Sequence, residues 1–583
     1  MDHDNNIPLA VSIRQDSIKT EPKTNNFTYQ GDLNGDKKDV EAPANPPGPE
    51  VTAAAPDYPS GIKSHLAVAT LCLAIFLITL DNTIIATATP YITDEFHSLK
   101  DVGWYGSVYT MVVCVTTLLF GKLNARYSIQ WLYSISMVLF LVGSAVCGAA
   151  PNSPALIVGR AIAGLGCAGL LVGAFSLVPF IVPPAKRPIM IGLISASRGL
   201  ATTFGPLIGG ALTERVSWRW NFYINLPLGV AIQVAFFAFV RPPKRESEAF
   251  TSWTDLMQNL DLFGLASLLP SVVCLLLALQ WGGVTYPWSD PRVIVLLVLC
   301  GGLAIAFALT EMWQGPKALL PPRVFTQRTV SAASFYGFCT TGAIFVLTYY
   351  LPMYAISVIL LSLSYYHAGA DHDPHRWFQG VRGASPIQSG LYTLPWVITS
   401  TIMSLTVGIL IAKVGHADAF MVIATVFGAV GSGLFTTFTL ETSNGKWIGY
   451  QIIFALSSSI SSLTPLMMTQ AALPLKDIPI GSGMVMFFQT IGASIFVSVA
   501  QALFTNGLVN GLERTGLTGF DAGTVASQGI TNLTKGLSGD IKRRVLIVIN
   551  DALTQSWHLT VVLSCLALLG ALAVEHGKMK KKT

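Results

Sequence analysis

Long apolar runs, separated by short polar segments, dominate this chain from about residue 64 onward. A run of about 20 residues with few charges is long enough to cross the hydrocarbon core of a bilayer as an α-helix. The pattern predicts an all-α polytopic membrane protein with fourteen such spans, at residues 64–88, 103–122, 131–150, 156–181, 188–212, 220–240, 262–281, 291–310, 331–354, 388–412, 418–438, 447–469, 482–505 and 557–575.

The composition agrees with a protein whose solvent is the bilayer. Charged residues make up 11% of the chain, against about 25% in soluble proteins, and hydrophobic residues make up 52%. The net charge of +5 gives no reason to expect nucleic acid as a partner. The eight cysteines show no paired ligand spacing, so neither a disulfide framework, a metal site nor another cofactor is indicated.

The polar ends of the chain differ from its apolar body. Residues 1–60 lack an apolar core and end in a Pro-rich stretch, so we expect a disordered tail without a cleaved signal peptide. Lys and Arg residues concentrate in alternate loops, which by the positive-inside rule places both termini, including the basic tail 577–583, in the cytoplasm. The predicted loop 506–556 then lies outside, and its sequon at Asn532 is a candidate glycosylation site.

Asp81 is a carboxylate inside the first apolar run. A charged residue at the centre of a membrane helix costs about 2.5–3.5 kcal/mol on insertion scales, so such a residue usually has a purpose. Two interpretations are open: Asp81 is paired or hydrated for structural reasons, or it takes up and releases a proton. An ionisable residue among many membrane spans favours the second.

An internal repeat divides the chain into two halves. The segment from Gly121 to Ser128 follows the second span, and the segment from Gly408 to Gly415 follows the tenth. Both have Gly, then Leu two residues on, a base five on and a small residue seven on. Parallel duplication of this kind predicts two six-helix bundles, at 64–240 and 329–576, joined by a linker at 241–328 that carries two extra spans. The alternative is a chance match between two short basic loops.

Several motifs occur in a fixed order along the chain: Leu80–Ile85 with Pro90, Gly121–Tyr127, Gly159–Gly169, Gly205–Gly210, and Trp218–Gly229. On these motifs, residues 64 to 576 resemble a fungal member of the fourteen-span drug:proton antiporter branch of the major facilitator superfamily. The string Trp218–Gly229 is the most specific to that branch. The resemblance implies the major facilitator fold, a plasma-membrane location and export of small molecules against protons.

The resemblance also assigns expected roles to residues. It implies that Asp81 and Arg160 act together in proton coupling, although Arg160 as a cap of backbone carbonyls, or as a snorkelling base, is the alternative. It implies a gating role for the inner-loop motif and a pliable, closely packed fifth span. The residues concerned are Gly121 and Arg126 in the loop motif, and Gly205, Pro206, Gly209 and Gly210 in the antiporter motif.

Two positions depart from the family pattern and one adds a candidate. Ala125 stands where the inner-loop motif usually carries Asp, which leaves the charge relay with Arg126 incomplete. Arg198 is a second base within a span, and three interpretations are open: an ion pair, an anionic substrate in a cavity, or snorkelling near the interface. Gln489 is a candidate cavity residue, with plain packing as the alternative.

Residues 355–377 have no counterpart in the family pattern. Their His and Asp residues include plausible metal ligands by type, but we do not favour a metal site. Removing the insert restores the family motif in frame, so our hypothesis is a retained intron in a gene model. Transcripts that always contain the insert would contradict this hypothesis. Whether the chain functions with the insert depends on the answer.

The energy source follows from what the sequence contains. No Gly-Lys pair is followed by Ser or Thr, as a phosphate-binding loop requires. We therefore predict a monomeric secondary transporter with protons, lipid and a small molecule as its partners. It would export hydrophobic or amphipathic compounds such as drugs, toxins or a secondary metabolite. The alternatives are proton-coupled uptake of a nutrient or metal chelate and a non-transporting sensor; an enzyme is disfavoured because no nucleophile–base pair stands out.

Overall fold

The computed structural model describes residues 62–98, 101–240, 261–283, 286–367, 394–514 and 539–577. Fourteen long helices lie in these ranges. They are α1 (Ile62–Phe96), α2 (Val102–Arg126), α3 (Ile129–Gly148), α4 (Ser153–Ile181), α5 (Arg187–Arg215), α6 (Asn225–Phe239), α7 (Leu262–Trp281), α8 (Pro291–Gln314), α9 (Arg328–His367), α10 (Leu394–Val414), α11 (Ala417–Phe435), α12 (Asn444–Ala472), α13 (Ile478–Arg514) and α14 (Gly539–Ala573).

Thirteen of these helices are long and apolar enough to cross a membrane by length and composition. Helix α5 is the exception in apolarity, because it carries Arg198 and several hydroxyl and glycine residues. It is nevertheless 29 residues long and packs between α1 and α10. With α5 counted, the described part of the chain is the predicted all-α membrane protein of fourteen spans.

The helices form two six-helix bundles. In the first, α1 packs against α5 and α6, and α4 packs against α2 and α3. In the second, α9 packs against α13 and α14, and α11 packs against α12 and α14. Helices α7 and α8 pack on each other, and α7 also contacts α2 and α13. This arrangement confirms the predicted major facilitator architecture with two extra spans.

Small residues let α4 lie at the centre of the first bundle. A Cβ built on Gly164 would come within 2.7 Å of the carbonyl oxygen of Tyr109 in α2. A Cβ on Gly159 would come within 2.7 Å of the Cys147 sulfur in α3. Glycine at these positions therefore brings the backbones of neighbouring helices together, as small residues do in bilayers.

The two bundles meet at matched glycine crossings. In the α2–α13 crossing, a Cβ on Gly121 would lie 2.9 Å from the carbonyl oxygen of Pro479. In the α5–α10 crossing, a Cβ on Gly408 would lie 2.7 Å from the carbonyl oxygen of Pro188. Gly121 and Gly408 are the equivalent glycines of the internal repeat, so the repeat marks two equivalent contacts between the halves.

A second pair of glycines completes these crossings. Gly192 lies four residues after Pro188, and Gly483 lies four residues after Pro479. A Cβ on Gly483 would approach the Thr117 carbonyl oxygen within 2.7 Å. Both crossings lie at the helix ends that the positive-inside rule assigns to the cytoplasm. The bundles are therefore closed against each other on that side.

The expected loop 506–556 is helical at both of its ends. Helix α13 runs on to Arg514, and α14 already begins at Gly539. The reason is apolar residues at helical spacing: Phe504, Leu508 and Leu512 pack against the first turns of α14 in one buried cluster. Asn532 lies outside the described residues.

The insert at 355–377 is described only in part. Helix α9 continues through its first residues to His367. Residues 368–377 lie outside the described ranges, so the hypothesis of a retained intron stays a prediction.

Candidate functional site

Asp81 of α1 and Arg160 of α4 meet in the interior of the first bundle. The Arg160 Nη1 donates to Asp81 Oδ2 at 2.6 Å, and both side chains are fully buried. The two residues lie 79 positions apart in the sequence. The structure thus joins the two residues to which the resemblance assigns proton coupling.

The other oxygen of the carboxylate binds Asn225, the first residue of α6. The Asn225 amide nitrogen donates to Asp81 Oδ1 at 2.7 Å and also lies 3.2 Å from the Ser144 hydroxyl of α3. Each carboxylate oxygen therefore accepts a bond from a different helix. We did not predict this role for Asn225. Its signal in the sequence is a polar residue inside the branch-specific motif, at the start of an apolar run.

The guanidinium of Arg160 has further contacts with α2. Its Nε donates to the Tyr105 carbonyl oxygen at 3.1 Å, and its Cζ lies 4.2 Å from the centre of the Tyr109 ring. Arg160 therefore caps a backbone carbonyl as well as pairing with Asp81. The carbonyl contact agrees with the capping interpretation, and the role of Arg160 in proton coupling stays a prediction.

Two polar atoms of this cluster remain without a hydrogen-bond partner in the described part of the chain: Arg160 Nη2 and Asn225 Oδ1. Buried polar atoms are nearly always bonded, and each exception asks for an explanation. Adding a proton to Asp81 would remove the negative charge that pairs with Arg160. The unbonded Arg160 Nη2 and Asn225 Oδ1 would then be available for new hydrogen bonds.

The pair lies near one end of the bundle. Arg160 is seven residues from the first residue of α4, about 10 Å at 1.5 Å per residue. Asn225 begins α6, and Ser144 is four residues before the end of α3. These are the helix ends that the charge pattern assigns to the outer side. The glycine crossings lie at the opposite end, which the same pattern assigns to the cytoplasm.

The branch-specific motif also forms a lock at this outer end. The Trp218 indole nitrogen donates to Glu95 Oε2 at 2.6 Å, and Arg219 Nη1 donates to Glu95 Oε1 at 2.8 Å. The Trp218 hydrogen bond is the main reason that the pKa of Glu95 is lowered, with Arg219 adding to it. The lock ties the end of α1 to the segment before α6, and so helps to position Asn225 beside Asp81.

The antiporter motif packs α5 directly against α1. A Cβ on Gly205 would overlap Thr83, and one on Gly209 would come within 2.5 Å of the Ile84 side chain. Gly210 is buried as well, and Pro206 lies within the helix between them. These contacts are two to three residues along α1 from Asp81. A movement of α5 would therefore shift α1 next to the buried carboxylate.

The inner-loop motif lies at the opposite end of α2. Gly121 forms the crossing with α13, and Arg126 is half-buried in the last turn. Ala125, at the position where the family pattern has Asp, packs against an apolar cluster shared by α2, α7 and α13. The side chain of Lys122 donates to the carbonyl oxygen of Lys317, after α8.

The two predicted cavity residues lie in different bundles. Gln489 of α13 is half-buried, and its Cγ lies 2.9 Å from the position of a Cβ on Gly337 of α9. Its aliphatic part therefore packs at the crossing of α13 and α9. Arg198 of α5 is exposed in the structure, although it lies within a span.

Comparisons with known proteins agree with this architecture. The sequence profile of the Major Facilitator Superfamily matches residues 71–497. The "MFS-type efflux pump MFS1" of Arthroderma benhamiae is 40% identical over 526 residues, which cover 90% of this chain and 94% of that protein. The "Efflux pump aflT" of Aspergillus parasiticus is 37% identical over 529 residues, which cover 91% of this chain and 98% of that protein.

A solved structure shows the same fold at low sequence identity. The proton:xylose symporter XylE, bound to 6-bromo-6-deoxy-D-glucose, superposes with a TM-score of 0.53 and 14% identity. The match covers 89% of this chain and 97% of that one. At this identity the likeness concerns the fold alone.

Proposed function

The chain belongs to the major facilitator superfamily and is a multi-pass secondary transporter, and we propose that it exports hydrophobic or amphipathic small molecules in exchange for protons. The observation that carries the proposal is the buried pair of Asp81 and Arg160. An ionisable pair inside a membrane domain marks an ion or substrate pathway by default. The names of the relatives, which are efflux pumps at 37–40% identity, support export rather than uptake.

In the proposed cycle Asp81 holds the proton. With the inner side closed, a proton from outside reaches Asp81 and neutralises it, and Arg160 loses its counter-charge. The guanidinium then changes partners, which rearranges α1, α2 and α4 around it. Release of the proton on the cytoplasmic side restores the ion pair and prepares the carrier for another substrate.

The inner closure is the element that the cycle must open. The two bundles rock against each other in alternating access, so the crossings at Gly121 and Gly408 separate when the carrier faces inward. These glycine contacts are backbone to backbone, so in the part of the chain that the structure describes they separate without breaking an ion pair. The equivalence of the two crossings supports a symmetric opening around the central axis.

The remaining features of the proposal concern location and topology. We place both termini in the cytoplasm because the basic residues favour that side. We propose the plasma membrane as the site of action, as the resemblance implies, and a monomer as the working unit, because each chain holds both halves of the carrier.

Inside-out vesicles with an acid interior and a pH dye test the proposal. Lipophilic compounds are added outside the vesicles, and proton efflux is compared between wild type, Asp81→Asn and Asp551→Asn; Asp551 is an exposed carboxylate on α14. We expect compound-dependent efflux that is lost in Asp81→Asn and kept in Asp551→Asn. Efflux that survives in Asp81→Asn would place the proton site elsewhere, and no efflux with any compound would contradict antiport.

A further inference from the structure

Arg198, in the middle of α5, is a cation without a counter-charge among the described residues. It lies 11 residues after the first residue of the helix, about 16 Å along its axis. No described residue forms an ion pair or a hydrogen bond with its guanidinium. Arginine remains protonated at any relevant pH, and charged residues at this depth almost always have a partner. The missing partner therefore needs an explanation.

The helical wheel of α5 shows which way Arg198 points. Leu200, Phe204 and Leu207 are exposed and form a single apolar stripe, which is the surface that faces lipid. At about 100° per residue, Arg198 lies roughly 120–180° around the helix from that stripe. The residues within about 40° of Arg198 include Ile194 and Gly205, which are buried in the bundle. Arg198 therefore does not snorkel into lipid.

Arg198 is exposed on a face of α5 where Ile191, Ile194 and Gly205 are buried. This combination is typical of a side chain that lines a water-accessible space inside the molecule. The adjacent Gly199 meets the second bundle, because a Cβ there would lie 2.5 Å from the Thr401 hydroxyl of α10. Arg198 thus lies beside the seam between the bundles, close to where carriers of this architecture hold their substrates.

Cys167 of α4 lies close to Arg198. Cys167 lies within electrostatic reach of Arg198, and also of Asp81 and Arg160. It is seven residues from Arg160, two turns or about 10 Å along the same face of α4. Arg198 is therefore separate from the Asp81–Arg160 pair, with Cys167 within electrostatic reach of both.

We propose that Arg198 binds the acidic group of the substrate, so that the transported compounds are amphipathic carboxylates. The inference rests on the proposed export function and names its substrate class. A guanidinium presents two parallel N–H donors to a carboxylate, and this geometry distinguishes an acid from a neutral compound of the same shape. An anionic substrate also agrees with the proposed direction of transport, since a membrane potential that is negative inside drives an anion outward.

The test uses dansyl-leucine, an amphipathic carboxylate, and dansyl-leucinamide, its neutral counterpart. Binding to the purified full chain is measured by dansyl fluorescence, and uptake is measured in inside-out proteoliposomes with an acid interior. Wild type is compared with Arg198→Gln, Arg198→Lys and Arg215→Gln. Arg215 is an exposed arginine at the end of the same helix, so its variant loses the same charge outside the seam.

We expect wild type and Arg215→Gln to bind and transport the acid. Arg198→Gln should lose about tenfold or more in affinity for the acid, while its affinity for the amide is unchanged or higher. Arg198→Lys keeps the charge without the paired donors and should fall between them. A merely structural role for Arg198 would lower acid and amide together, so the ratio of the two affinities separates the cases.

Three results would overturn the inference. One is equal affinity of wild type and Arg198→Gln for the acid, and another is a parallel loss for acid and amide. The third is a wild type that transports neutral compounds against protons but neither binds nor transports acids, which would leave the proposed function intact. Acid binding that depends on Arg198 without any transport would instead support the site and contradict the export function.

Discussion

Removing the carboxylate of Asp81 should destabilise the first bundle, and the structure gives the size of the effect. In Asp81→Asn the side chain keeps its volume but loses its charge, and the buried Arg160 then has no counter-charge in the described part of the chain. The Arg160 guanidinium stays charged in this variant, because arginine does not lose its proton at any relevant pH. In Arg160→Gln, by contrast, the orphaned carboxylate can bind a proton, and it keeps the bond from Asn225.

The expected losses follow from the cost of breaking a buried pair. Removing one partner costs about 3–5 kcal/mol in the free energy of unfolding. For a bundle of 150–250 residues, each kcal/mol lowers the midpoint by about 2–4 °C, so Asp81→Asn should lose about 6–20 °C. Arg160→Gln should lose less. The double variant Asp81→Asn/Arg160→Gln removes the orphaned charge, and should recover about 4 °C or more relative to Asp81→Asn.

The assay is the temperature at which half of the purified protein is lost from the monodisperse peak after a fixed heating time. All variants are heated in the same detergent at pH 7.5, because unfolding of a membrane protein of this size is judged by a rate rather than by equilibrium. A double variant that is less stable than both single variants, by the sum of their losses, would refute the reasoning. It would mean that the two charges do not interact in the folded protein.

Three further predictions concern neighbouring elements. Both Asn225→Ala and Asn221→Ala should lower the free energy of unfolding by about 1–3 kcal/mol, because both amides are buried and hydrogen-bonded. Only Asn225→Ala should change the pH midpoint of transport. Equal pH profiles of the two variants would contradict the role of Asn225. Gly408→Val should force the inner crossing apart and raise hydrogen–deuterium exchange at the inner ends of α5 and α10, whereas Gly433→Val, in open space, should not. The Trp218 indole N–H lowers the pKa of Glu95 in the folded state, so the Glu95 carboxylate stabilises the fold at pH values above its ordinary pKa of 4.5. This contribution is lost as the pH falls through the lower pKa of the folded state. Glu95→Gln should therefore lose thermal stability at pH 7, and the difference from wild type should shrink below pH 4.5; a constant difference would count against the lock.

The fold class and the number of spans could be predicted from the sequence because both depend on local properties. Inside a bilayer, the backbone polar groups of a single span must be hydrogen-bonded within its own helix. An apolar run of sufficient length therefore forms a membrane-spanning helix. Helix α5 shows how far this holds: it is less apolar than the other spans, yet its spacing and motif identified it. The apolar background also made Asp81, Arg160 and Arg198 visible as polar residues that needed a reason.

The lengths of some helices depended on packing. The ends of α13 and α14 extend into the predicted loop because Leu508 and Leu512 of α13 pack against apolar residues of α14. Hydropathy averaged along the chain does not detect this, since the stabilising contacts come from residues far away in the sequence. The same limit explains why the inner-loop repeat was visible as a pattern, while its contacts with Pro188 and Pro479 were not.

The site itself is a tertiary property. The sequence alone established that Asp81, Arg160, Asn225 and Arg198 are polar residues within or beside membrane spans. Only the packing of α1, α3, α4 and α6 determined that Asp81 binds both Arg160 and Asn225. Only the rotation of α5 determined that Arg198 turns away from lipid. Hydropathy reports how apolar a helix is, but the side on which each residue faces depends on the neighbours against which that helix packs.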